Sequence, residues 1–298
     1  MKLNILVTGY GGDVSNGVLK AFKDSNVHFN LFSSGIKKLK NRNYIRTSTV
    51  QSKKYIKELR KIIREKNINL LIPTIDQEQI KISSQKFNCI VMVNKYEIIK
   101  KLADKYLLSL FLKKNFYGPL TYLYNKKPHL FKYPYIIKKR IGWGNKFNYL
   151  IDSKKKESNY SLNDQFIVQE YLRGNDFTSS FYVKKKKIYV IVFRRRLKNG
   201  SSIYIKKIND KNIINQLKLI IKKTNLLFGN IQFKIKNKKI YIYEINPRLS
   251  GTLEMQRYFL NSPIMFVNHK FNANIFLKVC SKNFFKAKKT RGKWIIEK

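Results

Sequence analysis

The sequence predicts an α/β chain, α+β overall, in which a parallel-sheet unit comes first and antiparallel strands dominate the rest of the molecule. Short apolar strands alternate with helical stretches over the first hundred or so residues, the pattern of a parallel sheet wound right-handedly. Paired apolar runs around turns begin at about residue 177, the pattern of antiparallel hairpins. The length of 298 residues, with 43% hydrophobic and 14% aromatic content, allows two or three substructures, each with its own core.

Taken in order, Asn4 to Gly12 reads as a short apolar strand followed by a glycine turn, and 14–22 as the helix that leaves it. The glycines do not keep the strict G-x-G-x-x-G spacing, and no acidic residue ends the next strand, 29–33, where a dinucleotide ribose would bind. NAD is therefore not predicted. Residues 55–66 read as a helix, 69–73 as a buried strand, 77–85 as a helix and 89–93 as another strand, and one amphipathic helix is predicted over 102–112.

Residues 134–138 read as a strand carrying Lys138 toward its end, ahead of the loop Ile141-Gly142-Trp143-Gly144-Asn145-Lys146. Glycine lets backbone approach a phosphate closely, and an adjacent ammonium partly neutralises its charge. Lys138, Gly142 and Gly144 are accordingly candidates to cradle phosphate. Residues 177–183 and 188–193 read as antiparallel strands around the turn 184–187, leading into Arg194-Arg195-Arg196. Alternation puts Arg194 and Arg196 on one face and Arg195 on the other. The reading selects Arg196, with Arg194 beside it, to face the cleft and hold phosphate or a substrate carboxylate. A helix over 212–224 places Ile213, Leu217, Ile220 and Ile221 on an apolar face.

The segment 229–251 is the most informative stretch. Strand alternation sets Ile240, Ile242, Glu244 and Asn246 on one face against Tyr241, Tyr243 and Ile245. A loop of Asn237, Lys238 and Lys239 places Gln232 directly opposite Glu244, with Cβ atoms about 4.5–5.5 Å apart; a two-residue loop turns Gln232 to the far face. Three oxygen-bearing side chains on one surface make a site for a hard cation. Taken alone, Glu-x-Asn-Pro also reads as a strand end running into a turn.

Gln232 followed by Glu244-Ile245-Asn246-Pro247-Arg248 resembles the metal-binding end of the ATP-grasp superfamily, in the branch like the large subunit of carbamoyl-phosphate synthase. The resemblance runs from about residue 70 to 255, and its parts occur in the family's order: Asp104-Lys105, Lys138 with its glycine loop, Glu170 to Asp176, Gln232, and Glu244 to Arg248. It implies an N-terminal Rossmann-like pre-ATP-grasp domain over 1–100 and a two-subdomain ATP-grasp module over 101–298. Within that module it implies a nucleotide clamp at about 101–172, a metal and phosphate subdomain at about 173–275 and a tail over 276–298. Further implications are that Gln232, Glu244 and Asn246 hold the magnesium, or manganese, of the bound ATP, that Arg248 faces the transferred phosphate, and that Lys105 reaches a phosphate. Glu170, with backbone at Leu172, is the counterpart of the adenine-reading residues. Asp176 stands where the family commonly has a Glu that bonds the ribose hydroxyls, one methylene longer. Asp76 and Glu78 are placed to hold an amino group, with helix capping by Asp76 as the alternative. Lys139 and Asn145 depart from the family's usual Pro and additional Gly or Ser.

The activity implied is ligation: a carboxylate is phosphorylated with MgATP and the acyl group passes to an amine or similar nucleophile, with Arg248 and Arg196 as catalytic cations. Carbamoyl-phosphate synthase activity itself is not expected of a single module. The alternatives are a catalytically degenerate ATP-binding protein and a basic nucleic-acid binder. The formal charge of +46 favours anionic partners in general, but lysine outnumbers arginine and runs along the whole chain with Asn and Ile, as in AT-rich coding. No specific nucleic acid is expected; the expected partners are ATP, a small carboxylate and an amine, with a homodimer left open. No apolar run approaches the roughly 18 residues of a membrane span, and the opening reads as a strand rather than a signal peptide, so a cytoplasmic location is expected. Cys89 and Cys280 read as buried apolar residues. His28, His129 and His269 form no constellation, and Trp294 is predicted to pack a final strand on the core.

Overall fold

The computed structural model describes residues 3–23, 29–126, 131–142, 147–157, 162–184, 186–198, 200–254, 286–290 and 293–297. His28, His129, Gly144, His269 and Cys280 lie outside the described residues, as does the side chain of Trp294.

The first sheet is parallel throughout. Its strands β1 (Leu3–Val7), β2 (Phe29–Gly35), β3 (Tyr44–Arg46), β4 (Leu70–Ile72) and β5 (Ile90–Val91) lie in the order β3-β2-β1-β4-β5. Helices α1 (Asp13–Lys23), α2 (Tyr55–Glu65) and α3 (Asp76–Ser83) connect them. Because successive strand residues point to opposite faces, β1 feeds two cores. Ile5 and Val7 pack with Val14, Val18 and Phe22 of α1, while Leu6 packs with Tyr55, Leu59 and Ile63 of α2.

Where the sequence predicts one helix there are two, α4 (Tyr96–Ala103) and α5 (Lys105–Asn115). Asp104 between them is extended, and its carboxylate accepts the N–H groups of Tyr106 and Leu107 at 2.8 and 3.3 Å. An acid that caps a new helix ends the one before it. Arg140 pairs with the same carboxylate at 2.6 Å, tying α5 to the next sheet.

That sheet is small and antiparallel: β6 (Thr121–Leu123), β7 (Tyr135–Lys139), β8 (Asn148–Ile151) and β9 (Phe166–Glu170), in the order β6-β9-β7-β8. A short helix, α6 (Lys154–Glu157), follows β8. The third sheet is antiparallel, with seven strands in the order β14-β13-β10-β11-β12-β15-β16. Its strands are β10 (Asp176–Lys184), β11 (Lys187–Lys198), β12 (Ser201–Ile208), β13 (Phe228–Lys236), β14 (Lys239–Asn246), β15 (Lys286–Thr290) and β16 (Lys293–Glu297). Helix α7 (Lys211–Thr224) covers one face, where Leu217, Ile220 and Ile221 meet Phe181, Val192, Ile231, Phe233 and Ile242. At roughly 1.5–3 kcal/mol per buried side chain, this core holds the opposite face of the sheet in place. No helix among the described residues is long and apolar enough to cross a membrane.

The parallel sheet is clamped to the end of β14. Asn94 donates to the carbonyls of Phe228 and Pro247 at 3.0 and 2.9 Å and accepts from the N–H of Leu227 at 2.8 Å. Leu253 joins the α1 core, and Gly17 lies so near the backbone of Glu254 that a Cβ there would fall 2.8 Å from its nitrogen. The amino end of α3 is thereby set against the residues that follow β14.

Candidate active site

The hairpin of β13 and β14 turns through two residues, not the three expected. Lys236 pairs with Lys239, and Asn237 and Lys238 both have positive φ, 50° and 60°, the signature of a tight primed turn. A two-residue turn alone would turn Gln232 away. A β-bulge reverses this: Phe233 pairs with Ile242, Gln232 pairs with Glu244, and Tyr243 is the extra residue. The bulge shifts the phase of alternation, so Ile240, Ile242 and Ile245 share the α7 core. The expectation that Ile240 and Ile242 share a face with Glu244 is therefore corrected, while Gln232 still lies opposite Glu244 and Asn230 opposite Asn246.

The carboxylate of Glu244, which is half-buried, has no hydrogen-bond partner among the described residues. Asn246 is buried, and its Nδ2 has no partner either. Gln232 is differently placed: its Oε1 accepts from Arg195 Nη2 at 2.6 Å, and its Nε2 donates to Asn230 Oδ1 at 3.4 Å. Among the described residues no three His, Cys, Asp or Glu side chains cluster as a metal site. One free carboxylate with an adjacent amide nevertheless suits magnesium, which is commonly held by one or two carboxylates plus substrate phosphates.

Cations converge on this carboxylate. Lys138, near the end of β7, is 9% exposed, donates to Gln169 Oε1 at 2.9 Å and lies 5.3 Å above the Tyr243 ring. Burial pushes its pKa down to about 8; nearby Glu244 and Asp176 oppose the shift, while Lys105 and Lys234 add to it. Lys105, at the start of α5, is equally buried and donates to the Gly142 carbonyl at 3.3 Å. The asparagine, glutamate and two lysines thus lie close together, and a narrow cleft lined by Asp76, Ile80, Lys105, Gly142, Glu244 and Asn246 opens at this point.

Other predicted residues are placed differently from expectation. Arg194 and Arg196 are exposed, and Arg196 lies 5.4 Å from the Tyr204 ring. The residue that faces the site is Arg195, because Val190 and Val192 take the α7 side and fix the phase of β11. Glu170 accepts from the Leu120 N–H at 3.2 Å, where it secures the start of β6, and Leu172 is buried behind it. Asp176 accepts from the Tyr243 hydroxyl at 2.9 Å and lies 3.6 Å from Lys234. Arg195 also reaches the Tyr243 hydroxyl, at 3.0 Å.

Asp76 does not cap α3. Ile75 is the N-cap, and Asp76 meets Arg248 in a two-point pair at 2.7 and 3.0 Å. Arg248 thereby faces α3, and it also donates to the Leu249 carbonyl. Glu78 is not free to hold an amine. It is 2% exposed and accepts from Thr8 Oγ1 and the Tyr55 hydroxyl, both at 2.5 Å, and from the N–H groups of Thr74 and Ile75. Burial raises its pKa, opposed by these hydrogen bonds.

Sequence reasoning missed Arg195, Tyr243, Gln169 and Lys234. Gln169 carried a signal, since it follows directly on the apolar run Phe166-Ile167-Val168, whereas Lys234 is one of several polar residues in β13 and nothing marked it out. Tyr243 becomes visible only once the bulge is known.

A sequence profile of the ATP-grasp domain matches residues 102–252. A tyramine–L-glutamate ligase of Methanocaldococcus fervens is 29% identical over 214 residues, covering 66% of this chain and 66% of that protein. Another from Methanocaldococcus jannaschii is 31% identical over 165 residues, 53% of this chain and 46% of that one. The matches thus span less than two thirds of either relative. Among solved structures, N5-carboxyaminoimidazole synthetase from Staphylococcus aureus complexed with ADP superposes with a TM-score of 0.64 at 16% identity, covering 84% of this chain and 72% of that one. Phosphoribosylglycinamide synthetase from Anaerococcus prevotii gives 0.59 at 17% identity, covering 83% and 68%. At these identities the likeness establishes the fold alone.

Proposed function

This chain belongs to the ATP-grasp family, and on that premise we propose that it is an ATP-dependent ligase joining a carboxylate to an amine. The observation that carries the reading is Glu244: a carboxylate with no hydrogen-bonded side-chain partner among the described residues, set among the ammonium groups of Lys105 and Lys138, beside an Asn246 whose buried Nδ2 is a free donor for a phosphate oxygen. We read 1–100 as the pre-ATP-grasp domain and 101–298 as the ATP-grasp module.

In this reading a substrate carboxylate oxygen attacks the γ-phosphorus of ATP, and ADP leaves. The amine then attacks the acyl carbon, and phosphate leaves. The obstacle is repulsion between carboxylate and triphosphate. Lys105 and Lys138 offset it with charges already fixed in a site largely shielded from water, where they act more strongly than in bulk solvent. Glu244 and Asn246 would hold magnesium, which supplies further charge neutralisation at the phosphates. Lys105 also holds the carbonyl of Gly142, which keeps that glycine at the wall of the cleft. No nucleophile from the protein is needed, since positioning and electrostatics carry phosphoryl transfer.

Asp76 lines the cleft and is paired with Arg248, so that a carboxylate and a guanidinium stand together at the wall where a substrate would bind. The names of the relatives make an amino-acid carboxylate and a primary amine the first pair to test. ADP release would be measured over a panel of carboxylates and amines, starting with glutamate and tyramine. Release that requires both partners is the expected result; steady nucleotide binding with no release over the whole panel would count for a degenerate binding protein instead.

A further inference from the structure

Two bays flank Glu244. Gln232 lies opposite it across the hairpin, and Asn246 lies two residues further along the same strand. Two divalent ions sharing this carboxylate would need an oxygen from each flank. The Gln232 flank is already taken, because its Oε1 accepts from Arg195 at 2.6 Å while its Nε2 is directed to Asn230. Asn230 cannot stand in. Its nitrogen donates to Thr178 Oγ1 and the Ser179 carbonyl, and its oxygen accepts from Gln232.

Arg195 itself is 8% exposed and pairs with no carboxylate within 4 Å among the described residues, and its Nε is buried without a partner. Asp176, opposite it in register, is engaged by Tyr243 and Lys234. A buried guanidinium answered only by the neutral oxygens of Gln232 and Tyr243 is a fixed positive charge with unused donor capacity. A divalent ion entering the Gln232 bay would meet that charge at close range and compete with it for the same oxygen.

We propose that the Arg195 guanidinium stands in for a second divalent cation on the Gln232 side of Glu244, so that this chain binds its nucleotide with one ion, at Glu244 and Asn246. The proposal rests on the reading of the cleft as a MgATP site. Bound manganese would be counted by electron paramagnetic resonance on the full chain with a non-hydrolysable ATP analogue, in the wild type, Arg195→Met and Arg195→Lys. The expected counts are one ion in the wild type, two in the methionine variant and one in the lysine variant, which keeps the charge. Two ions in the wild type or in the lysine variant, or one in a folded methionine variant, would overturn the proposal. Should the methionine variant not fold, the other two counts still decide. Calorimetry of the analogue with the wild type separates the layers: absence of nucleotide binding overturns the MgATP reading together with this proposal, whereas nucleotide binding with two ions overturns the proposal alone.

Discussion

The carboxyl edge of the parallel sheet and the end of the β13–β14 hairpin face each other across the Asp76–Arg248 pair, yet they treat a carboxylate in opposite ways. Glu78 receives four hydrogen bonds from Thr8, Tyr55, Thr74 and Ile75. Glu244 receives none from the described residues and lies among cations instead. Since buried polar groups are nearly always satisfied, a group whose bonds are all made locally is holding structure together. A half-buried carboxylate without a side-chain partner, next to the buried and unsatisfied Nδ2 of Asn246, as at Glu244, is open to a ligand. Activity and stability are therefore expected to separate between these two acids.

The largest effect falls on Glu244. Glu244→Ala is expected to lower ADP release on the order of 10³-fold or more, with a shift in unfolding free energy of about 0.5 kcal/mol or less. A steady-state assay beside a urea melt checks both, and a variant with normal ADP release would remove the reading of this site. Glu78→Ala should do the reverse. Leaving Tyr55 and Thr8 without their buried partner costs about 3 kcal/mol, read as a lower urea midpoint. A stable Glu78 variant that had lost turnover would break the contrast.

That contrast was only half visible in the sequence. The alternation of polar residues marked the hairpin, and the chain order of Lys105, Lys138, Gln232 and Glu244 gave the site's outline. Glu78 looked equally free because its partners Tyr55 and Thr8 lie 23 and 70 residues away, and only the folded sheet brings them together. Arg195 could not be chosen from three consecutive arginines, since the apolar run before them fills both faces and gives no phase. The break at Asp104 was hidden inside a continuous apolar period. The bulge at Tyr243 compensated for the shorter turn, so the predicted opposition of Gln232 and Glu244 came from a loop count that the structure does not have.

Lys138 gives a sharper test of electrostatic poise at the hairpin side. Its pKa is pushed from 10.5 down to about 8 by burial, so between these values the unfolded chain holds a proton that the folded one has released. Stability should therefore rise with pH across that window, and the cost of the buried charge is complete below pH 8. Nucleotide affinity should run the other way, falling toward tenfold per pH unit above 8 as the ammonium is lost. Titration of ADP in two buffers of different ionisation enthalpy should show proton uptake on binding near pH 8. Lys138→Met should abolish that uptake and flatten both profiles; a wild type with a flat affinity profile from pH 7 to 9.5 would contradict the placement of this charge.

The smallest expected effect lies at the turn, where structure and site can be separated within one hairpin. Lys238 is exposed at a φ of 60°, a conformation that costs an L-residue energy because Cβ crowds the following carbonyl, and that glycine adopts freely. Asn-Gly is also the preferred pair for a two-residue turn of this hand. Lys238→Gly should therefore raise stability by about 0.5–1 kcal/mol, the strain relief exceeding glycine's entropy loss. Turnover should stay within about twofold, because the pairing of Gln232 with Glu244 is set beyond the turn, by the bulge at Tyr243 and by Ile231, Phe233 and Ile245 in the core. Urea melts and ADP release on the same preparation decide it. Equal gains or losses in both measurements would mean that the turn sets the register of the ligand-facing residues, and the bulge would then be a consequence of the turn instead of the device that places Glu244.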